Sequence, residues 1–154
     1  MEKSYKYIKL YLSSKYEQII IAPHYFNEDG LIFEQDICYT YSIDIDEETL
    51  GIKIIDALNK YTLSKKRYFN NDKLSKWSAF VYSKLKTIKS FRENYFCISI
   101  SDENGYINFG IEYKKTDKYG GYVKNILKIP NDSKESDIGK TIREIYFSKI
   151  SQNR

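Results

Sequence analysis

The chain predicts an α+β domain over residues 1–154: a mostly antiparallel β-sheet of about six strands, with two to three α-helices packed on it, in the order β-β-α-α-β-β-β-β-α. Three observations carry that expectation. Apolar and aromatic runs of strand length follow one another across short turn signals, NEDG at 27–30 and DENG at 102–105, as in antiparallel meanders. Two stretches show helical spacing instead, DIDEETLGIKIIDAL (44–58) and DSKESDIGKTIREIY (132–146). Those two stretches match each other at a constant offset of 88 residues, pairing Asp44 with Asp132, Glu47 with Glu135, Leu50 with Ile138, Gly51 with Gly139 and Ile54 with Ile142.

Taken in order, segment 5–22 is apolar and aromatic, with EQIIIA its clearest strand, and Pro23 is expected to end it. After the NEDG turn, 31–43 alternates as one strand: Ile37, Tyr39, Tyr41 and Ile43 line a core side, and Glu34, Asp36, Cys38, Thr40 and Ser42 a wet side. The first repeat copy then opens a helix. Asp44 and Glu47 have capping-box spacing, Asp46 to Glu48 suit the positive helix end, and Leu50, Ile54, Ala57, Leu58 and Tyr61 form the apolar stripe. Gly51 sits at the stripe's edge, where glycine is about 1 kcal/mol worse than alanine. The expected return is close approach of the helix to the sheet. The second copy repeats this with Asp132, Glu135, Ile138, Gly139 and Ile142. Either a strand–helix unit is duplicated, or two helices converge on good capping.

Residues 62–72 read as a polar connector and 72–85 as a short helix with Leu74, Trp77, Phe80 and Val81 on one face. A meander follows: strands at 86–91 and 94–101, the Asn-Gly hairpin turn at 102–105, a return strand at 106–114, a turn at 115–121, and a last strand at 122–129 closed by Pro130.

Charge divides unevenly. Between Phe26 and Asp56 nine acidic residues face only Lys53, whereas between Ala57 and Arg92 ten basic residues face only Asp72. The net +4 thus hides an acidic block and a basic one, which either steer partners or neutralise each other on the surface. No apolar run reaches the roughly 20 residues of a membrane helix and no secretion signal is recognisable, so the expected compartment is the cytoplasm. The two cysteines, Cys38 and Cys97, read as buried free thiols.

Catalytic signatures are not found. His24 has no carboxylate or cysteine at useful spacing, and no P-loop, GxGxxG or zinc-ligand pattern occurs. The DIDEE carboxylates have oxygen chemistry for Mg²⁺ or Ca²⁺, but capping already explains Asp44 and Glu47. The expectation is therefore no catalytic residue, no metal and no cofactor. Sixteen tyrosines suit base stacking, protein interfaces or simply a β-sheet. By residues alone the chain reads as a binder and not an enzyme.

Short motifs then carry a family resemblance. Glu47–Gly51 in the pattern E-x-x-L-G, SKWSAF (75–80), the ENGY hairpin, GGYVKNILKIP (120–130) with Gly120, Gly121 and Pro130, and DIGKTIREIY (137–146) together resemble the immunity proteins of bacterial contact-dependent growth inhibition, the CdiI family. The resemblance implies a cytoplasmic, non-catalytic protein whose partner is the cognate C-terminal toxin domain of a delivered CdiA protein, often a nuclease. A nuclease site receives phosphates and tends to be positive, so carboxylates can imitate its substrate. On that reading Glu28, Asp29, Glu34 and Asp36 are the toxin-binding candidates, followed by Asp46 and Glu48. The competing reading is a small nucleic-acid-binding module that uses the basic 57–92 segment and exposed tyrosines. The overall basic charge departs from an ideal partner for a basic nuclease.

Overall fold

The computed structural model describes residues 5–28, 30–64, 77–113 and 122–152. Its strands are β1 (Lys6–Ser13), β2 (Gln18–Asn27), β3 (Ile32–Glu34), β4 (Tyr39–Ser42), β5 (Thr62–Ser64), β6 (Phe96–Glu103), β7 (Tyr106–Tyr113) and β8 (Tyr122–Pro130). Its helices are α1 (Glu47–Leu58), α2 (Ser78–Ser83), α3 (Ile88–Asn94) and α4 (Glu135–Gln152). The strands form one sheet in the order β3-β2-β1-β6-β7-β8, with β4 and β5 also paired to β2. Every pairing is antiparallel except β2 with β5. The predicted α+β architecture is thus observed, with more short elements than expected.

Period-2 alternation sorts side chains onto two faces. On one, Ile8, Leu10, Ile19, Ile21, Ile98, Ile100, Ile107 and Phe109 meet Leu50, Ile54, Ala57 and Leu58 of α1 and Ile138, Ile142, Ile145 and Tyr146 of α4. On the other, Tyr11, Ile20, Ala22 and the thiol of Cys38 lie under Ala79, Phe91 and Tyr95, so α2 and α3 form a second helical layer there. Phe91 is its hub, with ring centroids of Trp77 and Tyr95 each at 4.9 Å.

The 88-residue repeat extends through the sheet. Gln18, Ile19, Ile20 and Ile21 of β2 face Ser42, Tyr41, Thr40 and Tyr39 of β4. At the same offset, Tyr106, Ile107, Asn108 and Phe109 of β7 face Pro130, Ile129, Lys128 and Leu127 of β8. The equivalent residues Leu10 and Ile98 face each other at the middle of the β1–β6 pairing. Even the turns correspond: Glu17 (φ 51°) and Gly105 (φ 82°) are both left-handed. The first helical residues, Glu47 and Glu135, correspond as well. Two halves are therefore related by a quasi-two-fold axis between β1 and β6.

That axis explains the glycines, and corrects their expected role. They do not let helices approach the sheet; they let α1 and α4 touch each other. A Cβ built on Gly51 would lie 2.8 Å from Glu135 Cα and closer to its carbonyl, and one on Gly139 would lie 2.8 Å from Glu47 Cα and closer to its carbonyl. The contact is reciprocal and backbone to backbone. Arg143 of α4 extends the same seam by donating to the Ile45 carbonyl. Shared capping does not explain the repeat. Asp46, not Asp44, caps α1, accepting from Thr49 N at 2.8 Å and Thr49 Oγ1 at 2.7 Å. At the equivalent position α4 has Lys134, whose carbonyl receives Asp137 N and Ile138 N, and Asp132 lies in the preceding turn.

Other sequence expectations are corrected too. Pro23 does not end β2 but lies within it, where the strand exchanges partners: β1 and β4 flank its first part, β3 and β5 its last. A residue without an N–H fits such a break in pairing. The stretch 31–43 is two strands, separated by a bend at 35–38. This leaves Ile37 exposed, while the second helical layer buries Cys38. Segment 86–91 is not a strand; Thr87 Oγ1 caps α3 by accepting from Ser90 N at 3.1 Å. Of the predicted helix 72–85, Ser78–Ser83 is α2, ended by Lys84 in the left-handed conformation, and 72–76 lies outside the described residues, as does the turn at 115–121.

Candidate functional site

The two halves are alike in register, so their differences locate what is particular to this chain. After α1 the first half continues into β5, which pairs the far end of β2, and into α2 and α3, which pack on the other face of the sheet. At the 88-residue offset Glu34 and Asp36 correspond to Tyr122 and Lys124 of β8, and Asp46 and Glu48 to Lys134 and Ser136 at the start of α4, so these four carboxylates lie in the repeated unit while their counterparts are not acidic.

The structure does not gather the six carboxylates into one patch. Glu28 follows β2 at its Asn27 end and is exposed. Asp46 and Glu48 are exposed at the start of α1, beside the opposite end of β2, where Ile43 N donates to the Glu17 carbonyl. With ten residues in β2 those ends are roughly 30 Å apart. Asp36 is exposed in the bend between, and Asp29 lies outside the described residues.

Glu34 has an internal task. Its carboxylate accepts from Trp77 Nε1 at 2.6 Å, Tyr11 Oη at 2.8 Å and the backbone N of Ala79 at 3.0 Å. The last of these is an orphan donor of the first turn of α2, whose N-cap residue, Trp77, offers no side-chain acceptor. Glu34 therefore ties β3 to β1 and caps α2 from outside the helix. Sequence spacing did not reveal this, because its partners come from 23 to 45 residues away. Asp46 is held below its ordinary range chiefly by the Thr49 hydroxyl and backbone N–H, with Arg143 adding a smaller pull.

The remaining chemistry-bearing groups serve packing. His24 is buried with Nδ1 at 2.8 Å from the Ala22 carbonyl and its ring edge-on to Tyr7. Burial pushes its pKa down to about 3, with Lys9 adding to the effect, so the ring is neutral near pH 7. Neither Cys38 nor Cys97 forms a disulfide, and burial raises the Cys38 thiol well above its ordinary value. Among the described residues no group of three or more His, Cys, Asp and Glu could hold a metal ion. Among them, too, no helix is long and apolar enough to cross a membrane.

The basic segment is only partly described. Lys84, Lys86 and Lys89 are exposed around α2 and α3, Lys89 lies 4.0 Å from Glu93, and Arg92 covers the Trp77 ring. The tyrosines do not form one stacking platform: Tyr11, Tyr25, Tyr95 and Tyr146 are buried. The exposed Tyr16 and Tyr106 sit at opposite ends of the sheet.

Sequence reasoning missed an apolar feature at the extended end of β2. Phe26 faces Ile32 across β3 and Leu63 across β5. Directly paired residues share a face, so the three side chains form a row. Leu63 is 66 % exposed, Ile32 39 % and Phe26 38 %, and Leu31 and Ile37 nearby are more than half exposed. At the other end of the sheet β8 is an edge strand among the described residues, with exposed Ile126 and Leu127 beside Lys124 and Lys128. Lysines at such an edge discourage pairing with another chain.

The class these features define is an α+β protein with a quasi-two-fold sheet, two helices on one face and two shorter helices on the other. No protein-family model and no curated protein matches the chain. Among solved structures it is similar to a protein of unknown function from Neisseria meningitidis, at 16 % identity and a TM-score of 0.68, over 89 % of this chain and 90 % of that one. It is also similar to a chain of the CdiA-CT/CdiI toxin and immunity complex from Yersinia pseudotuberculosis, at 11 % identity and a TM-score of 0.64, over 91 % of this chain and 94 % of that one. At these identities the likeness is one of fold.

Proposed function

We propose that this protein is an immunity protein that binds and neutralises the C-terminal toxin domain, of nuclease type, of a contact-dependent growth-inhibition effector. The observation that carries the reading is the fold likeness to a chain of a toxin and immunity complex over nearly the whole length of both chains. The motif resemblance points to the same family by a separate route. The chemistry of the described residues agrees with a binder: His24 is buried and neutral, the Cys38 thiol is buried, and Glu34 is engaged internally. Neutralisation then needs no bond making, no metal and no cofactor, only occlusion of the toxin in the cytoplasm by one folded domain. On this reading Glu28, Asp29, Asp36, Asp46 and Glu48 steer a cationic toxin by their charge. The spread of Glu28, Asp36, Asp46 and Glu48 along the molecule supports a role in encounter more than in a single plug.

The test is co-purification with the toxin domain encoded immediately upstream of this protein's gene. A stoichiometric complex that survives gel filtration, and whose association rate falls with added salt, is expected. Failure of the purified domains to associate, or the lack of any such upstream domain, overturns the reading.

A further inference from the structure

The neutralisation reading leaves open which part of the partner is gripped, and the outer surface of α2 and α3 bears on it. The inner sides of these helices pack on the sheet, with Ala79, Phe91 and Tyr95 buried and Phe80, Tyr82 and Leu85 against them. Outside remain Val81, 53 % exposed, and the exposed cations Lys84, Lys86, Lys89 and Arg92. From Val81 to Arg92 the sequence has no Asp, Glu or His. The connection carrying the first two cations is fixed. Lys84 ends α2 at a φ of 61°, its N donating to the Val81 carbonyl at 3.1 Å, and Leu85 N donates to Ser83 Oγ at 3.2 Å. Thr87 then caps α3, on which Lys89 and Arg92, three residues apart, share a face. With seven residues α3 is about 10 Å long, so the four charges lie close together.

The fold leaves most of this charge uncompensated. Glu93 stands 4.0 Å from Lys89, at the limit of an ion pair, and the Lys89 side chain stays 85 % exposed. Glu34, beneath α2, turns inward to Trp77, Tyr11 and the Ala79 N–H. Among the described residues neither Lys84 nor Lys86 has an ion-pair partner. Arg92 lies over the Trp77 ring, 5.8 Å from its centroid, which holds the guanidinium in place. Outside the described residues, 65–76 carries five basic residues against Asp72 alone, so the adjoining sequence has the same sign.

We propose that the outer surface of α2 and α3 is the docking face for an acidic surface of a protein partner, with Val81 as the apolar contact and Lys84, Lys86, Lys89 and Arg92 as the charges that recognise it; the proposal rests on the neutralisation reading and assigns what is gripped. Complementary charge names the partner's chemistry. The rings choose between anionic partners. Single-stranded nucleic acid is held by bases stacked on exposed aromatic rings. Here Trp77 lies under Arg92, Phe91 and Tyr95 are buried, and the exposed apolar side chain is aliphatic. A second copy docking by two-fold symmetry would set these cations against their own equivalents. A nuclease site tends to be positive, so an acidic surface gripped in this way lies apart from it. The carboxylates then act on encounter and the α2–α3 face acts in the complex.

The test uses the full chain and the upstream toxin domain, at about 0.15 M salt so that distant charges are screened. Lys84→Glu/Lys86→Glu/Lys89→Glu reverses the face at exposed positions. Lys124→Glu/Lys134→Glu/Lys140→Glu makes the same net change at exposed positions elsewhere and is the control. The first variant is expected to bind at least about 100-fold more weakly than wild type, with the control within roughly 3-fold. Lys84→Gln/Lys86→Gln/Lys89→Gln, which removes charge without reversing it, is expected to fall between wild type and the reversal, and it carries the test if the reversal does not fold. If wild type binds and neither α2–α3 variant binds more weakly than the control, this face is wrong while the neutralisation reading stands. If wild type binds no toxin domain, both fall. Two results on the free protein also overturn the proposal: a nucleic-acid complex tighter than about 10⁻⁶ M that the reversal abolishes, and a concentration-dependent dimer that it abolishes.

Discussion

Replacing Gly51 with alanine sets two physical effects of opposite sign against each other. Helix propensity alone favours alanine over glycine by about 1 kcal/mol in a helix interior. Packing opposes it. The new Cβ would lie 2.8 Å from Glu135 Cα, and nearer still to the carbonyl of the same residue. Carbon atoms in contact prefer about 3.5–4.0 Å, so α1 and α4 must part by roughly 1 Å. Glu135 presents backbone there, not a flexible side-chain end, so the strain has no local outlet. A gap of that size removes about a quarter to a half of the dispersion attraction along the seam. A clash with backbone puts the overpacking cost at the upper end of its usual range, about 3 kcal/mol, and subtracting the propensity gain leaves a net loss of about 2 kcal/mol. For a chain of this length that corresponds to a melting temperature roughly 4–8 °C lower. Urea titration and thermal melting read it directly. By quasi-symmetry Gly139→Ala has a similar effect. The double variant loses less than the sum, since the helices part only once. A Gly51→Ala protein as stable as wild type, or more stable, would show that the seam is not closed by the reciprocal glycine contact.

Glu34→Ala leaves three donors without their acceptor and is expected to destabilise by about 3 kcal/mol, with Glu34→Gln intermediate because its amide can accept at only one oxygen; a change under roughly 1 kcal/mol in the alanine variant refutes the anchoring role. Asp46→Asn tests the α1 cap through pH. The folded carboxyl is held below its ordinary value of 3.8, so its stabilising effect is complete above that value and fades as pH falls through the folded pKa. The melting temperatures of wild type and variant therefore differ at neutral pH and converge in acid, and parallel curves contradict the cap. Nucleic acids are expected to bind no tighter than non-specific levels, a Kd of roughly 10⁻⁴–10⁻⁶ M at physiological salt. A salt-resistant, sequence-selective complex in a filter or anisotropy assay would instead favour the nucleic-acid module.

Local signals proved legible where local physics decides the structure. Asn104 and Gly105 both adopt positive φ, as the Asn-Gly hairpin signal requires. The apolar stripes of α1 and α4 lie in the core where helical spacing placed them. The constant offset hinted at a repeat, but the residues carrying it in the sheet, such as Ile20 and Asn108, are too unlike to be matched by eye. Long-range choices were not legible. Thr87 caps a helix where a strand was expected, because a helix this short has little periodicity to read. Cys38 is buried because α2 and α3 cover its face, and Glu34 is claimed by Trp77 and Tyr11 through folding alone. The row of Phe26, Ile32 and Leu63 joins residues brought together by one antiparallel and one parallel pairing, and the parallel partner came from a segment that reads as connector.

The most direct test of the neutralisation reading is growth. Bacteria that express the upstream toxin domain from an inducible promoter are expected to stop growing on their own and to grow normally when this protein is co-expressed. Continued arrest, with the protein present in soluble folded form, contradicts the central claim.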